Sequence, residues 1–421
     1  MKTDEIVKKG TDSCAFPLFG AFFFSIGPLF GILRSEKLMK EDDFKDIGPY
    51  EGEDFRQAIG RLEQYPQLLD NFTDIISRHN RVVNKWKSFH AKKLLRHMMG
   101  QVSNYTEFQE FITCDIFLSM IESSSIDNFT FGGIDELGLD TPHVYISNHR
   151  DIVLDAALLD LALYRSDNRK KCEMVIGDNL LVNQFTTDLF KVNGAITVRR
   201  SLSSTSDLRD ETMRLSRYIR YAVEEKGVSI WIAQKSGRSK DGIDNTSPAI
   251  LKMLYLAYRE DGISFPEFLR RSSIVPVAIS YQYDPCDITK SEEQIRKLKA
   301  EGVYNVYVKK KYADVLDLVR GLRLNKGNVH IQVGSPLGED FEDVRAAVRE
   351  VDRQIHTNYR LWDTNYFAYD YLNRTYQFED EYADMNTRSF LKHYKHLKPE
   401  VRNLVFQGYA NPVISMLNEK A

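Results

Sequence analysis

Between Val144 and Tyr281 the chain alternates short β-branched runs with longer helical stretches, and this alternation decides its architecture. VYIS precedes DAALLDLAL, EMVIG precedes NQFTTDLF, and AITV precedes LRDETMRLSRYIRYAVEE. VSIWIA then precedes SPAILKMLYLAYR, and IVPVAISY closes the series. Strands of roughly four to eight residues separated by helices of roughly ten or more are βαβ units, which set successive strands side by side in one sheet. A further strand, NVHIQVGSPL, follows a charged helical excursion around residues 291–320. The expected fold is α/β, a mostly parallel sheet flanked by helices, with helical N-terminal and C-terminal regions. The expected boundaries are 1–38 for an apolar segment, 39–125 for a helical region, 126–340 for the α/β domain and 341–421 for helices.

The flanks differ in character. From Glu53 to about Ser124 apolar residues recur at three- and four-residue spacing, as in FRQAIGRLEQYPQLLDNF and FQEFITCDIFLSMI, which predicts helix. Between these, VVNKWKSFHAKKLLRHMMG carries a basic face over an apolar one: a solvated helix face, or a surface for anionic lipid headgroups. Cys14 to Leu33 holds no charged residue, yet Pro17, Pro28 and several glycines would break a straight spanning helix. The segment reads as membrane-contacting, or as an extension ahead of a true start at Met39; no small-residue cleavage site supports a secretory signal. Lys plus Arg is 57 and Asp plus Glu is 60, a net charge of −3 that argues against nucleic acid as a partner. The four cysteines are scattered without C-x-x-C pairing and read as reduced thiols of a cytoplasmic protein, neither a disulfide frame nor a metal site.

Ligands of open α/β sheets gather outside the carboxyl ends of the strands. Four stretches lie there. In ISNHRDIVLD, His149 sits at a strand-to-helix turn with Asp151 and Asp155 nearby. A histidine whose other ring nitrogen bonds a carboxylate is fixed in one tautomer and can take a proton from an alcohol attacking a thioester. In NGAITVRRS, Arg199 and Arg200 could clamp a phosphate, since guanidinium presents paired donors at phosphate spacing. In WIAQKSGRSKDG a strand runs into a glycine-containing turn with Lys235, Arg238 and Lys240. In IVPVAISY, Pro276 removes a ladder donor and predicts a strand edge, bulge or site-lining turn.

In order and spacing these stretches resemble the glycerolipid acyltransferase superfamily, the glycerol-phosphate and lysophosphatidic acid acyltransferases. That family carries N-H-x-x-x-x-D, G-x-x-x-x-x-R, F-P-E-G-T-R-S and V-P-[IV] blocks. The matching residues are Asn148-His149 with a downstream Asp, Gly194 to Arg200, Ala233 to Ser239, and Val275-Pro276-Val277. FGGIDELGLDTPHVYISNH looks like the family's approach to its catalytic motif, and the likeness covers about residues 126–340. It implies phospholipid biosynthesis by an enzyme in which His149, oriented by a carboxylate, deprotonates an acceptor hydroxyl that attacks acyl-CoA or acyl-carrier protein. Arg200 and Arg238 would hold the phosphate of a lysophospholipid-type acceptor such as 1-acylglycerol-3-phosphate, with Arg199 and Lys235 as helpers. Gly237 would permit the tight turn, an apolar channel would take the acyl chain, and no metal or organic cofactor is needed. A cytoplasmic protein held peripherally at the inner membrane face is the corresponding location.

Two positions depart from the family pattern. The expected acid position holds Leu154, so Asp155 is the favoured partner of His149 and Asp151 the second choice. The FPEGTRS block reads AQKSGRS, with Lys235 for the acid and Ser236 for a glycine, which leaves the acceptor open. An acyltransferase for another hydroxylated or amino-acid lipid, or an inactive relative that binds acyl lipids, are the alternatives. No G-x-S-x-G elbow is present, and no glycine fingerprint of a nucleotide site follows a strand.

Overall fold

The six runs read as strands all form strands, and a seventh joins them. They are β1 (Asn128–Gly132), β2 (Val144–Ser147), β3 (Cys172–Gly177), β4 (Ala195–Val198), β5 (Ser229–Ala233), β6 (Ile274–Tyr281) and β7 (Asn328–Val333). The computed structural model describes residues 41–65, 93, 95–138, 141–166, 172–199, 202, 204–301 and 312–420. The apolar segment 1–38 and most of the basic stretch after Arg81 lie outside the described residues, as does Arg200.

One sheet runs in the order β1-β7-β6-β2-β5-β3-β4. The pairs β6–β2, β2–β5, β5–β3 and β3–β4 are parallel, as the βαβ pattern requires. Among the described residues only the β6–β7 pair is antiparallel, and β1 then pairs parallel to β7. The sequence pattern gives no strand at β1: its Phe-Thr-Phe alternation is short and runs straight into Gly132-Gly133.

Pro276 corrects one expectation. It lies in a central strand, buried along its whole length, rather than at an edge or bulge. The antiparallel ladder begins one residue later, with Val277 opposite Val333. Pro276 contributes only its carbonyl, which accepts from Gly334 N–H, so no ladder donor is missed.

Alternate residues of each strand feed two cores. Tyr145, Trp231, Val275, Val277 and Val329 face one side, where the helix Leu154–Arg165 is enclosed. Its LDAALLDLAL is apolar nearly all round, as a helix covered on every side must be. Val144, Ile146, Ile230, Ile232 and Ile274 face the other, under the helices Thr205–Tyr221, Pro248–Glu260, Phe265–Ser272 and Val344–Asn358. The edge at β4 is covered by the segment around Ile47, whose carbonyl accepts from Thr197 N–H, and buried Lys191 donates to the Ile47 and Gly48 carbonyls beneath it. The C-terminal helices Asp363–Asn373, Thr387–Tyr394 and Pro399–Lys420 build an aromatic cluster of their own. Among the described residues no helix is long and apolar enough to cross a membrane.

Candidate active site

The site begins where β2 stops. Asn148 takes the place of the next rung: its amide donates to the Ile279 carbonyl at 3.0 Å and its oxygen accepts from Ile279 N–H at 2.8 Å. Strand pairing thus passes from backbone to side chain, and the backbone of His149 is free to turn. Ser239 N–H holds the His149 carbonyl at 2.7 Å, tying this turn to the AQKSGRS loop.

Residues 148–153 are non-helical and the helix begins at Leu154. The extra residue between His149 and its acid is therefore taken up in a loop, where it rotates nothing. Asp155 is fully buried in the first turn, and its Oδ2 lies 2.8 Å from His149 Nδ1. The same oxygen accepts from the N–H groups of Arg150 and Asp151 at 2.7 and 2.9 Å, and Oδ1 accepts from Tyr281 Oη at 2.8 Å. The helix N-terminus adds a favourable field for the anion. Burial and the Asp155 charge push the Tyr281 phenol well above its ordinary range, so it stays a donor.

With its proton on Nδ1, the imidazole donates to Asp155 and leaves Nε2 as an acceptor. Nε2 makes no described hydrogen bond, and the ring is 13 % exposed. One flank of the ring rests edge-on against Trp231, 5.8 Å between centroids. The indole is itself held by donating to Ser147 Oγ at 3.0 Å.

Asp151 does not reach His149. Its Oδ1 accepts from Val153 and Leu154 N–H, which caps the helix, and its Oδ2 has no partner among the described residues. Burial and the neighbouring Asp155 raise its carboxyl above the usual range. Gly321 of the helix Ala313–Arg323 packs directly on that oxygen: a Cβ there would stand 2.1 Å from it.

Arg238 lies beside this pair but is already engaged. Nη2 donates to Asp317 at 2.8 Å, and Asp314 is 3.8 Å away, both on the helix Ala313–Arg323. Burial opposes the charge, yet the Asp317 ion pair outweighs it and holds the guanidinium above its ordinary range. Nη1 is buried and without a partner among the described residues. Gly237 takes a left-handed φ of 79° in an open turn, a conformation that suits glycine.

The remaining basic candidates stand apart from His149. Arg199 is exposed and paired with Asp46 and Glu211, and Lys235 donates to the Ile243 carbonyl. Both line a cavity of about 120 Å³ on the opposite face of the sheet, with Val175, Ile232, Leu215 and Met253 among its walls.

Sequence reasoning did not single out Tyr281, Trp231, Asp317 or Arg150. Tyr281 alone carried a signal, as the last residue of a strand next to β2. Arg150 is buried beneath the loop, where it pairs with Asp244 and Asp284, and Lys290 donates to its carbonyl. Those partners lie more than 90 positions away, and no local pattern points to them.

Residues 128–280 match the family model of acyltransferases. This part of the chain is an acyltransferase-family domain. Among solved structures it is similar to the 1-acyl-sn-glycerophosphate (LPA) acyltransferase PlsC from Thermotoga maritima. That likeness has 12% identity and a TM-score of 0.34, over 72% of this chain and 94% of that one. A search of curated proteins gives no match.

Proposed function

We propose that the protein transfers a fatty acyl group from an acyl thioester, acyl-CoA or acyl-carrier protein, to a hydroxyl of a phosphate-bearing lipid precursor such as 1-acylglycerol-3-phosphate. The observation that carries this reading is the His149–Asp155 pair, fixed at 2.8 Å on Nδ1 with Nε2 left open. The acceptor O–H gives its proton to Nε2 as its oxygen attacks the thioester carbonyl. The tetrahedral intermediate then expels the thiolate, which takes the proton back from the imidazolium, leaving an ester and a free thiol. Asp155, held by three further donors, stabilises the imidazolium without moving.

Arg238 supports recognition of an anionic acceptor through its spare Nη1, once Asp317 shares or releases the guanidinium. The same pairing favours a second reading, a hydroxylated or amino-acid lipid without a phosphate, because the charge of Arg238 is already balanced. The apolar cavity beside Arg199 and Lys235 suits part of an acyl chain; at about 120 Å³ it has room for only a few methylenes. The natural setting for such substrates is a membrane surface, with the protein held there peripherally.

The test is a lipid-product assay in which purified protein meets several acceptors with each donor. Product ester is expected, and His149→Ala should lower turnover by roughly a thousandfold with an unchanged melting temperature. Near-normal turnover of that variant would remove His149 from the mechanism. Tight lipid binding with no product on any acceptor would favour an inactive lipid-binding relative.

A further inference from the structure

We infer that the outer face of the helix Ala313–Arg323 seats the protein on an anionic lipid surface, directly over the His149 site. This rests on the lipid-substrate reading for its purpose, but the observations stand without it.

The helix is inserted between β6 and β7, and its two sides differ. At about 100° per residue, Asp314, Asp317, Leu318 and Gly321 fall on one arc. There Asp317 binds Arg238, Gly321 meets Asp151, and Leu318 packs into the core that also encloses Asp155's helix. That arc is a lid on the polar site.

The opposite arc holds Leu316, Val319, Arg320 and Arg323, with Leu324 at its end. Leu316 is 55% exposed, Val319 37% and Leu324 48%. Arg320 is half exposed, with Nη1 reaching round to donate to Asp317 at 3.1 Å, and Arg323 is exposed. Of nine large apolar residues exposed among the described residues, four fall between Tyr312 and Leu324, so the exposure is concentrated here. Scattered single apolar residues need no explanation, but a contiguous stripe does.

Apolar side chains interleaved with arginines on a helix that lies along the surface are the pattern of interfacial binding to anionic bilayers. The stripe is convex, as the outside of any single helix is, and so fits a plane better than a partner that would need a groove. Its position also fits. A lipid acceptor leaving a membrane under this helix would meet Arg238 and His149 from the covered side, without crossing solvent.

The test uses the full chain with Cys14→Ser, since the other three cysteines are buried. An environment-sensitive fluorophore is placed on Leu316→Cys, and on Ser206→Cys as a control on the far face of the sheet. With vesicles of phosphatidylcholine and phosphatidylglycerol, the label at position 316 should shift to the blue and be quenched by brominated acyl chains. The label at position 206 should not respond, and vesicles of phosphatidylcholine alone should produce little shift. Sedimentation of Arg320→Gln/Arg323→Gln with the same vesicles should show partitioning weaker by about tenfold or more, with an unchanged melting temperature.

An unshifted label at position 316 would overturn the inference, whether the chain stays in solution or binds through another segment. So would a shift produced by an acidic acyl-carrier protein and not by vesicles, or partitioning indifferent to both arginines. None of these measurements needs turnover, so a failure of the acyl-transfer reading, seen in the product assay, is separate from a failure here.

Discussion

The two faces of the sheet at its carboxyl end are built on opposite plans. On the His149 face the side chains around the histidine are held by dense hydrogen bonding. Asp155 accepts four hydrogen bonds, Asn148 continues the ladder, and Arg150 is locked among Asp244, Asp284 and Tyr359. On the other face lies an apolar cavity with exposed Arg199 at its rim, paired only through solvent-facing contacts. Proton transfer requires atoms held within tenths of an ångström, whereas an acyl chain requires only volume and dryness. Under the proposed acyl transfer, reaction rate would belong to one face and substrate range to the other.

The largest effect should come from breaking the fixed face. Asp155→Asn keeps the shape but lets the amide donate to His149, which favours the tautomer with its proton on Nε2. Turnover should fall by roughly a thousandfold while the donor's KM stays within about threefold. A fall confined to KM would mean that the two faces do not divide the work in this way.

A smaller effect tests the cavity. Ala249→Phe narrows its wall. The preferred acyl length, read from competition between donors, should move to shorter chains by several-fold, with kcat on the preferred donor little changed. An unaltered length profile would place the acyl chain elsewhere.

The smallest effect separates the two aspartates. Asp151→Asn keeps the helix cap, so turnover should change by less than about tenfold, far less than for Asp155→Asn. The sign of its stability effect follows from the raised carboxyl. The native state holds this proton more tightly than the unfolded chain, so the stability that Asp151 contributes is present below about 3.8 and is lost as pH rises through its folded value. At neutral pH the variant should therefore melt slightly higher than the parent, and the gap should close in acid. A melting difference independent of pH would point to packing instead of charge.

Much of this was legible in the sequence because it is local. The β-branched runs announced six strands, and His149 with Asp155 was readable from one ten-residue stretch. The Phe-Thr-Phe of β1 was not, since its pairing is with β7, about 200 positions away. Equally hidden was the partner of Arg238: a basic turn looks ready for phosphate until Asp317, 79 positions on, occupies it. The one-residue offset of Asp155 falls among residues 148–153, which are non-helical. In a loop an added residue alters the path and leaves the end point alone. Pro276 misled for a related reason, because a central strand accepts a proline where the position is bonded through its carbonyl alone, as here to Gly334 N–H.

Gly321 sets the spacing between the lid helix and the floor of the site. Its missing Cβ is what lets the helix rest on Asp151, since any side chain would stand 2.1 Å from that carboxylate. Residue size at this position is therefore a graded wedge. Alanine would lift the helix a little and serine or valine more, loosening Asp317 from Arg238 by degrees. The absence of a single side-chain atom thus sets how closely the helix sits, and a series of substitutions there would turn a fixed contact into an adjustable aperture.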